Sequence, residues 1–187
     1  MEKDRERWNK KYQEGKFPLE KPAPIVTKYY KFANVGKALD IAAGLGRNSL
    51  FLAEKGFKVD AVDISDIAVE KLSKLHPNIN AIQSDLDSYV IPENEYDLII
   101  NINFLSRRLF PYIKEGLKKN GILIFQTFLE EKEPDLAVPS NRDFLLRKNE
   151  LLHSFISLRV LFYKEQKVIK CDGTKSYLAS LVARKEC

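Results

Sequence analysis

Two glycines and two carboxylates stand at spacings that suit a nucleotide-like ligand. Gly44 and Gly46 make a turn between an apolar stretch, Lys37 to Ala43, and a helical pattern, Arg47 to Lys55. Glycine lacks the Cβ that would hold a ligand away from the backbone, and a helix start leaves amide N–H groups without partners. Asp63 closes a second apolar stretch 17 residues after Gly46, where a carboxylate can accept hydrogen bonds from two neighbouring ribose hydroxyls. Both features suit an adenosine-containing ligand. Asp40 is of another kind: it lies inside the first strand, four residues before Gly44, where a carboxylate is costly unless something satisfies it. A dinucleotide fingerprint would place a third small residue for helix packing at the position of Ser49.

Composition limits what these residues can serve. A chain of 187 residues, 44% apolar and 30% charged, suits one soluble globular domain with a single sizeable core. No run of about 18 apolar residues could span a bilayer. The start, MEKDRERWNKKYQ, is charged from its second residue and has no apolar signal core, which predicts a cytoplasmic location. Cys171 and Cys187 are expected as free thiols, and no metal-ligand spacing is present. The net charge of +5 suits an acidic partner such as RNA or an anionic small molecule. The basic residues are nevertheless spread: pairs such as Lys10–Lys11, Arg107–Arg108 and Lys118–Lys119 are not interleaved with aromatic rings, which argues against nucleic acid. Solvated lysine-rich faces explain the charge as well.

The elements that must position the glycine turn follow from periodicity. Residues 1–16 read as an amphipathic helix with Trp8 and Tyr12 on one face, ended by Gly15, and Pro18, Pro22 and Pro24 then enforce an extended path. A second helix is expected over residues 25–36 with Gly36 as its C-cap. Ser65 caps a helix to Leu75 that Pro77 stops, and a short strand over residues 78–84 ends at Asp85–Leu86. Tyr96 to Asn103 is a central parallel strand, which puts Asn101, Asn103 and Phe104 at its carboxyl end, where open α/β sheets bind ligands. Residues 106–119 form a helix distorted at Pro111, and Asn120–Gly121 turns into the strand GILIFQTFL. Residues 130–142 have no period and read as the mobile loop. Asn149 caps a short helix to Phe155, and a closing hairpin turns at Cys171-Asp172-Gly173-Thr174. His76 and His153 read as surface or packing residues.

D-I-A-A-G-L-G followed by V-D-I resembles the first two motifs of class I S-adenosylmethionine-dependent methyltransferases. The W-x-x-x-Y opening and the R-N-S helix start are similar to the small stand-alone enzymes of the tellurite-resistance type. The resemblance covers almost the whole chain and implies an α/β, Rossmann-like three-layer sandwich: a mostly parallel seven-stranded sheet whose last strand is antiparallel. It implies one domain, residues 37–187 being the core and residues 1–36 a helical lid. S-adenosyl-L-methionine would be the cofactor and S-adenosyl-L-homocysteine its product. The implied cofactor residues are Asp40, Ala42, Gly44, Gly46, Arg47 and Asn48 around the methionine end, Asp63 and Ile64 at the ribose and adenine, Asp85 and Leu86 at the adenine edge, and Asn101 near the transferable methyl. Trp8 and Tyr12 either pack on the core or close over the cofactor. Asp85 taken alone could equally cap a turn. Asn103, Phe104, Arg107 and Arg108 would face the acceptor, the two arginines holding an anionic group or simply solvating a helix start. N-I-N-F stands where amine methyltransferases of nucleic-acid bases show N/D-P-P-aromatic, and no cysteine nucleophile lies near, so the expected acceptor is a small molecule: a thiol, a metalloid oxyanion or a carboxylate. No catalytic base stands out. Two other readings are an NAD-dependent oxidoreductase, opposed by Asp40, the missing third glycine and the short chain, and a non-catalytic module that binds S-adenosylmethionine or RNA.

Overall fold

A computed structural model describes residues 2–15, 21–169 and 173–186. In chain order it contains α1 (Glu2–Gln13), α2 (Pro24–Tyr29), β1 (Lys37–Ile41), α3 (Arg47–Glu54), β2 (Lys58–Asp63), α4 (Asp66–Leu72), β3 (Ile79–Gln83), β4 (Tyr96–Ile102), α5 (Leu109–Gly116), β5 (Leu117–Phe128), α6 (Glu150–Ser154), β6 (Arg159–Ile169) and β7 (Lys175–Arg184). Short 3-10 turns add Tyr30–Phe32 and Arg142–Phe144.

The seven strands form one sheet in the order β3-β2-β1-β4-β5-β7-β6. Strands β1 to β5 pair in parallel, and β7 inserts antiparallel between β5 and β6. The near-continuous Ile, Leu and Val content of the central strands has its reason in burial on both faces. On one face Leu39, Ile41, Ile99, Leu123 and Phe125 meet Phe110 and Ile113 of α5 and Leu151 of α6. On the other, Ala38, Leu98, Ile100 and Ile124 meet Val26 of α2 and Leu52 and Ala53 of α3. The strand order reverses between β1 and β4, so the crevice for a ligand opens at the carboxyl ends of these two strands.

Several boundaries differ from the expectations, each for a local reason. The helix expected over residues 25–36 is α2 followed by the 3-10 turn, and Gly36 is no C-cap. A Cβ at Gly36 would lie 2.2 Å from Asp97 Oδ2, so the missing side chain lets the Asp97 carboxylate reach the Lys37 N–H at 2.8 Å. The helix expected over residues 106–119 is confined to α5, with Pro111 in its first turn, where no amide partner is lost. The Asn120–Gly121 bend lies within β5 as a bulge: Tyr96 pairs with Leu117 and Leu98 with Ile122, and Asn120 takes φ 64°. Asn149 sits at the start of α6 without a side-chain capping bond; its own N–H donates to Glu165 Oε1 at 2.6 Å.

Residues 130–142, read from the sequence as the mobile loop, take hydrogen-bond partners from neighbouring segments. Glu130 N–H donates to Leu146 O at 2.8 Å, Ala137 N–H to Lys175 O at 2.8 Å, and Ser176 Oγ to Ala137 O at 2.9 Å. Pro18, the hairpin tip at Cys171–Asp172, and Cys187 lie outside the described residues. No described helix is long and apolar enough to cross a membrane.

Candidate active site

The turn after β1 is wound through left-handed backbone: Ala42 has φ 55°, Gly44 56° and Gly46 86°. For alanine that conformation is strained by about 1 kcal/mol, and strain of this kind gathers where surrounding structure imposes it. Ala43 N–H bonds to Val62 O at 3.0 Å and Gly46 N–H to Ala43 O at 3.0 Å, so the turn is tied to β2 and closed on itself before α3 begins. The two glycines do different work. A Cβ on Gly46 would lie 2.5 Å from Leu72 Cδ2 and 2.7 Å from Leu75 Cδ1, so Gly46 allows α4 and the turn that follows it to pack against the loop. A Cβ on Gly44 would lie 3.0 Å from the Tyr12 hydroxyl, on the open side of the turn.

Asp40 is fully buried in β1 and receives the Ser49 hydroxyl at 2.6 Å, which fastens the strand to the first turn of α3. Burial pushes its pKa up to about 7, against the opposing effects of the Ser49 hydrogen bond and the charge of Arg47. Ser49, which leaves room for close packing in the fingerprint slot, is therefore also the partner that a carboxylate in this strand requires. Asp63, at the tip of β2, accepts from Gly44 N–H at 2.8 Å through Oδ2 and from Ser65 N–H at 2.9 Å through Oδ1. Its burial raises its pKa, and the backbone amides of Ser65, Gly44 and Ile64 hold it down. A carboxylate offers about four acceptor sites, so capacity for a further donor remains. Ser65 caps α4 as expected, its Oγ accepting from Ala68 N–H at 3.2 Å.

Helix α1 lies across this turn. Arg5 pairs with Asp66 at 2.8 Å, Asn9 Nδ2 donates to Asp66 at 3.0 Å, and Ser65 Oγ donates to Asn9 Oδ1 at 2.5 Å. Trp8 and Tyr12 stack with centroids 5.7 Å apart. Tyr12 is buried over Gly44, and that burial, with the Asp63 charge nearby, raises its phenol pKa. Of the two alternatives read from the sequence, this position puts Tyr12 against the glycine turn.

The remaining candidates divide. Ser84 N–H bonds to Asp63 O at 3.0 Å, which brings the Asp85–Leu86 segment beside the tip of β2; Asp85 Oδ1 accepts the Asp87 N–H at 2.9 Å, and Leu86 is buried. Ile64 is half-buried next to Asp63. Asn101 is buried at the end of β4 and donates to Phe104 O at 2.8 Å, folding back a turn in which Asn103 takes φ 60°. Asn48 is buried in the first turn of α3, where its Oδ1 accepts the Ala23 N–H at 2.9 Å and anchors the start of α2. Arg107 acts as a clamp: its guanidinium meets Glu150 at 2.5 Å and the carbonyls of Asp143 and Leu145 at 2.7 and 2.9 Å. Arg108 lies over the Tyr112 ring at 5.2 Å with Leu86 O at 3.4 Å, so its positive charge flanks the Leu86 side of the crevice. His76 accepts the Asn78 N–H at 3.1 Å in the turn before β3, a packing role.

Outside this end, two surface clefts of about 500 and 410 Å³ lie by Lys114, Arg159 and Lys185 and by Lys37, Asp60 and Asn80. Beneath the second, Asp60 accepts from Tyr96 Oη at 2.9 Å and Asn80 Nδ2 at 2.8 Å, and pairs with Lys37 at 3.0 Å. The periodicity of β2 gave no sign of that buried network, which sits at the amino ends of the strands, away from the crevice.

The strand order and the crevice define the class I methyltransferase fold, and the solved structures agree. TehB from Haemophilus influenzae superposes with a TM-score of 0.71 at 24% identity, over 86% of this chain and 61% of that one. A methyltransferase from Mesorhizobium loti gives 0.69 at 16% identity, over 87% and 98%. The [4+2]-cyclase SpnF gives 0.66 at 15% identity, over 86% and 78%. Residues 3–171 match the family described as tellurite resistance protein TehB, and this chain belongs to that family. In sequence it is 28% identical over 167 residues to a Haemophilus influenzae protein described as "Probable S-adenosyl-L-methionine-dependent methyltransferase TehB", covering 80% of this chain and 57% of that protein. The chain thus spans little more than half the length of that relative.

Proposed function

We propose that this chain is an S-adenosylmethionine-dependent methyltransferase acting on a small-molecule acceptor, with residues 37–187 as the catalytic core and residues 1–36 as its lid. The fold alone does not assign the reaction, since a cyclase shares it. The reading is carried by the joining of Gly44 and Asp63 at the switch point: the carboxylate holds the glycine turn through one oxygen and the start of α4 through the other. That arrangement fits an adenosine ligand, because Gly44 leaves its backbone without a Cβ, beneath the Tyr12 hydroxyl, and Asp63 retains acceptor capacity for ribose hydroxyls.

When bound, S-adenosylmethionine supplies a methyl carbon already activated by a sulfonium, so that an acceptor lone pair displaces a neutral thioether. The chain's own work is placement and exclusion of water. Asp63 would orient the ribose, with Ile64, Asp85 and Leu86 around the adenine. Asp40 acts through Ser49 by fixing the first turn of α3, and so the direction of the glycine loop. Tyr12 and Trp8 cover the turn, and Asn101 sets the β4 tip beside the reacting end. The β4 tip itself, Asn101, Asn103 and Phe104, carries no titratable base, which suits acceptors that arrive ionised: a thiolate, an oxyanion or a carboxylate. A cytoplasmic location and a preference for small molecules over nucleic acid belong to the same reading.

The test is release of S-adenosylhomocysteine from S-adenosylmethionine with tellurite, selenite, dithiothreitol and small carboxylic acids offered singly. Acceptor-dependent release supports the reading. Binding of S-adenosylhomocysteine with no release for any acceptor favours the non-catalytic module.

A further inference from the structure

Among the described residues, Thr127 Oγ1 is the buried side-chain polar atom that has no hydrogen-bond partner. The residue is 1% exposed. Burial strips water from a hydroxyl, and when nothing replaces that water the position is disfavoured. Other polar side chains of the fold show how this is usually avoided. Ser49 Oγ meets Asp40, Gln126 Nε2 meets Ser180 Oγ at 2.8 Å, and Ser176 Oγ meets Ala137 O.

Place gives the unpartnered hydroxyl its meaning. Thr127 follows Gln126 on β5, and the Gln126 carbonyl accepts the Asn103 N–H at 2.7 Å, so Thr127 stands level with the end of β4. Asn101 pairs with Phe125, and side chains alternate along a strand, so Asn101, Phe125 and Thr127 share one face of the sheet. The hydroxyl is thus on the strand next to the Asn101–Phe104 tip, on the side of the crevice away from Gly44 and Asp63. A segment of chain folds over this end: Leu146 N–H donates to Phe128 O at 2.9 Å and Glu130 N–H to Leu146 O at 2.8 Å. Hydrogen bonds between Ala137 and Lys175 and Ser176 of β7, and the Arg107 guanidinium on the Asp143 and Leu145 carbonyls, hold this segment, and at its rim the ion pairs Arg142–Glu130 at 2.6 Å and Lys148–Glu131 at 2.7 Å are weak in water.

We propose that Thr127 is an acceptor-binding residue at the base of a pocket beneath residues 129–146, its hydroxyl donating to an oxygen of the acceptor. The inference rests on the methyltransferase reading for what the pocket holds. A donor aimed at an anionic oxygen makes a charge-assisted bond, which favours oxyanions and carboxylates over thiolates.

The first test needs no knowledge of the acceptor. Thr127→Cys and Ala183→Cys are each introduced into a Cys171→Ser/Cys187→Ser background, treated with iodoacetamide and followed by mass spectrometry; Ala183 is a fully buried β7 position. On this proposal the Thr127 position should label about tenfold faster or more, because opening of residues 129–146 would expose it, whereas Ala183 on β7 needs the sheet to open. Equal labelling overturns the pocket. The second test compares Thr127→Val and Thr127→Ser with selenite and with dithiothreitol. With selenite, Thr127→Val should lower kcat/KM roughly tenfold while the affinity for S-adenosylhomocysteine stays unchanged, and Thr127→Ser should restore most of the loss. Full kcat/KM in Thr127→Val overturns the role. Failure of the unaltered chain to bind S-adenosylhomocysteine would instead overturn the methyltransferase reading, and the labelling contrast would still decide the pocket.

Discussion

Replacing Asp40 by Asn should remove a pH dependence of stability that the wild-type fold contains. The Asp40 carboxyl is fully buried in β1, and that burial moves its pKa from the ordinary 3.8 to about 7. In the unfolded chain the same carboxyl titrates near 3.9. Between these values the folded chain binds more protons than the unfolded one, so the contribution of Asp40 to stability is fully present below about pH 4 and is lost as pH rises through about 7. At 1.36 kcal/mol for each unit between the two values, the swing is at most about 4 kcal/mol. Asn is neutral throughout, and its amide oxygen can still accept the Ser49 hydroxyl, which the native carboxylate takes at 2.6 Å. Guanidinium unfolding of both proteins at about pH 5 and pH 8 gives the comparison. Asp63, whose pKa is also raised by burial, is present in both proteins, so most of its effect cancels in the difference. Asp40→Asn should gain on wild type by about 2.5 kcal/mol from the lower pH to the higher, the part of the swing that falls between pH 5 and 8. A stability difference that stays constant with pH would refute the claim that Asp40 is held partly protonated by its burial.

Asp63→Ala should weaken S-adenosylhomocysteine binding by roughly 1.5–3 kcal/mol, as for charge-assisted hydrogen bonds, and should also lower the melting temperature, because the Gly44 and Ser65 amides lose their partner. Unchanged affinity by calorimetry removes Asp63 from the site. Gly46→Ala should destabilise by about 1–3 kcal/mol, since the new Cβ would fall 2.5 Å from Leu72 Cδ2 at a backbone φ of 86°. A melting temperature equal to wild type would show that the α4 contact yields freely. Arg107→Ala should cost about 1 kcal/mol through the carbonyls of Asp143 and Leu145, with cofactor affinity unaltered. A large rise in acceptor KM at unchanged stability would return Arg107 to the acceptor site.

What could be read from the sequence was whatever a single segment decides. The glycine turn, Asp63 at a strand tip, the Ser65 cap and the closing hairpin are each set by neighbours in sequence, and the structure places them as expected. The misplaced features depend on distant partners. Gly36 reads as a cap because nothing local announces Asp97, 61 residues on, whose carboxylate needs the space. Likewise, nothing near Asn48 or Arg107 in sequence announces the Ala23 amide and Glu150 that fold against them. The polar stretch 130–142 has no period, yet β7 and the Leu146 segment supply its backbone with partners. Thr127 was hidden inside an apolar strand, and only three-dimensional packing reveals that its hydroxyl has no partner.

The most direct measurement is calorimetric titration of the chain with S-adenosylhomocysteine, with NAD as the control ligand. The expected result is saturable binding of S-adenosylhomocysteine at micromolar concentration and none of NAD. Binding of NAD instead, or of neither ligand, would contradict the assignment of the Gly44–Asp63 crevice to S-adenosylmethionine.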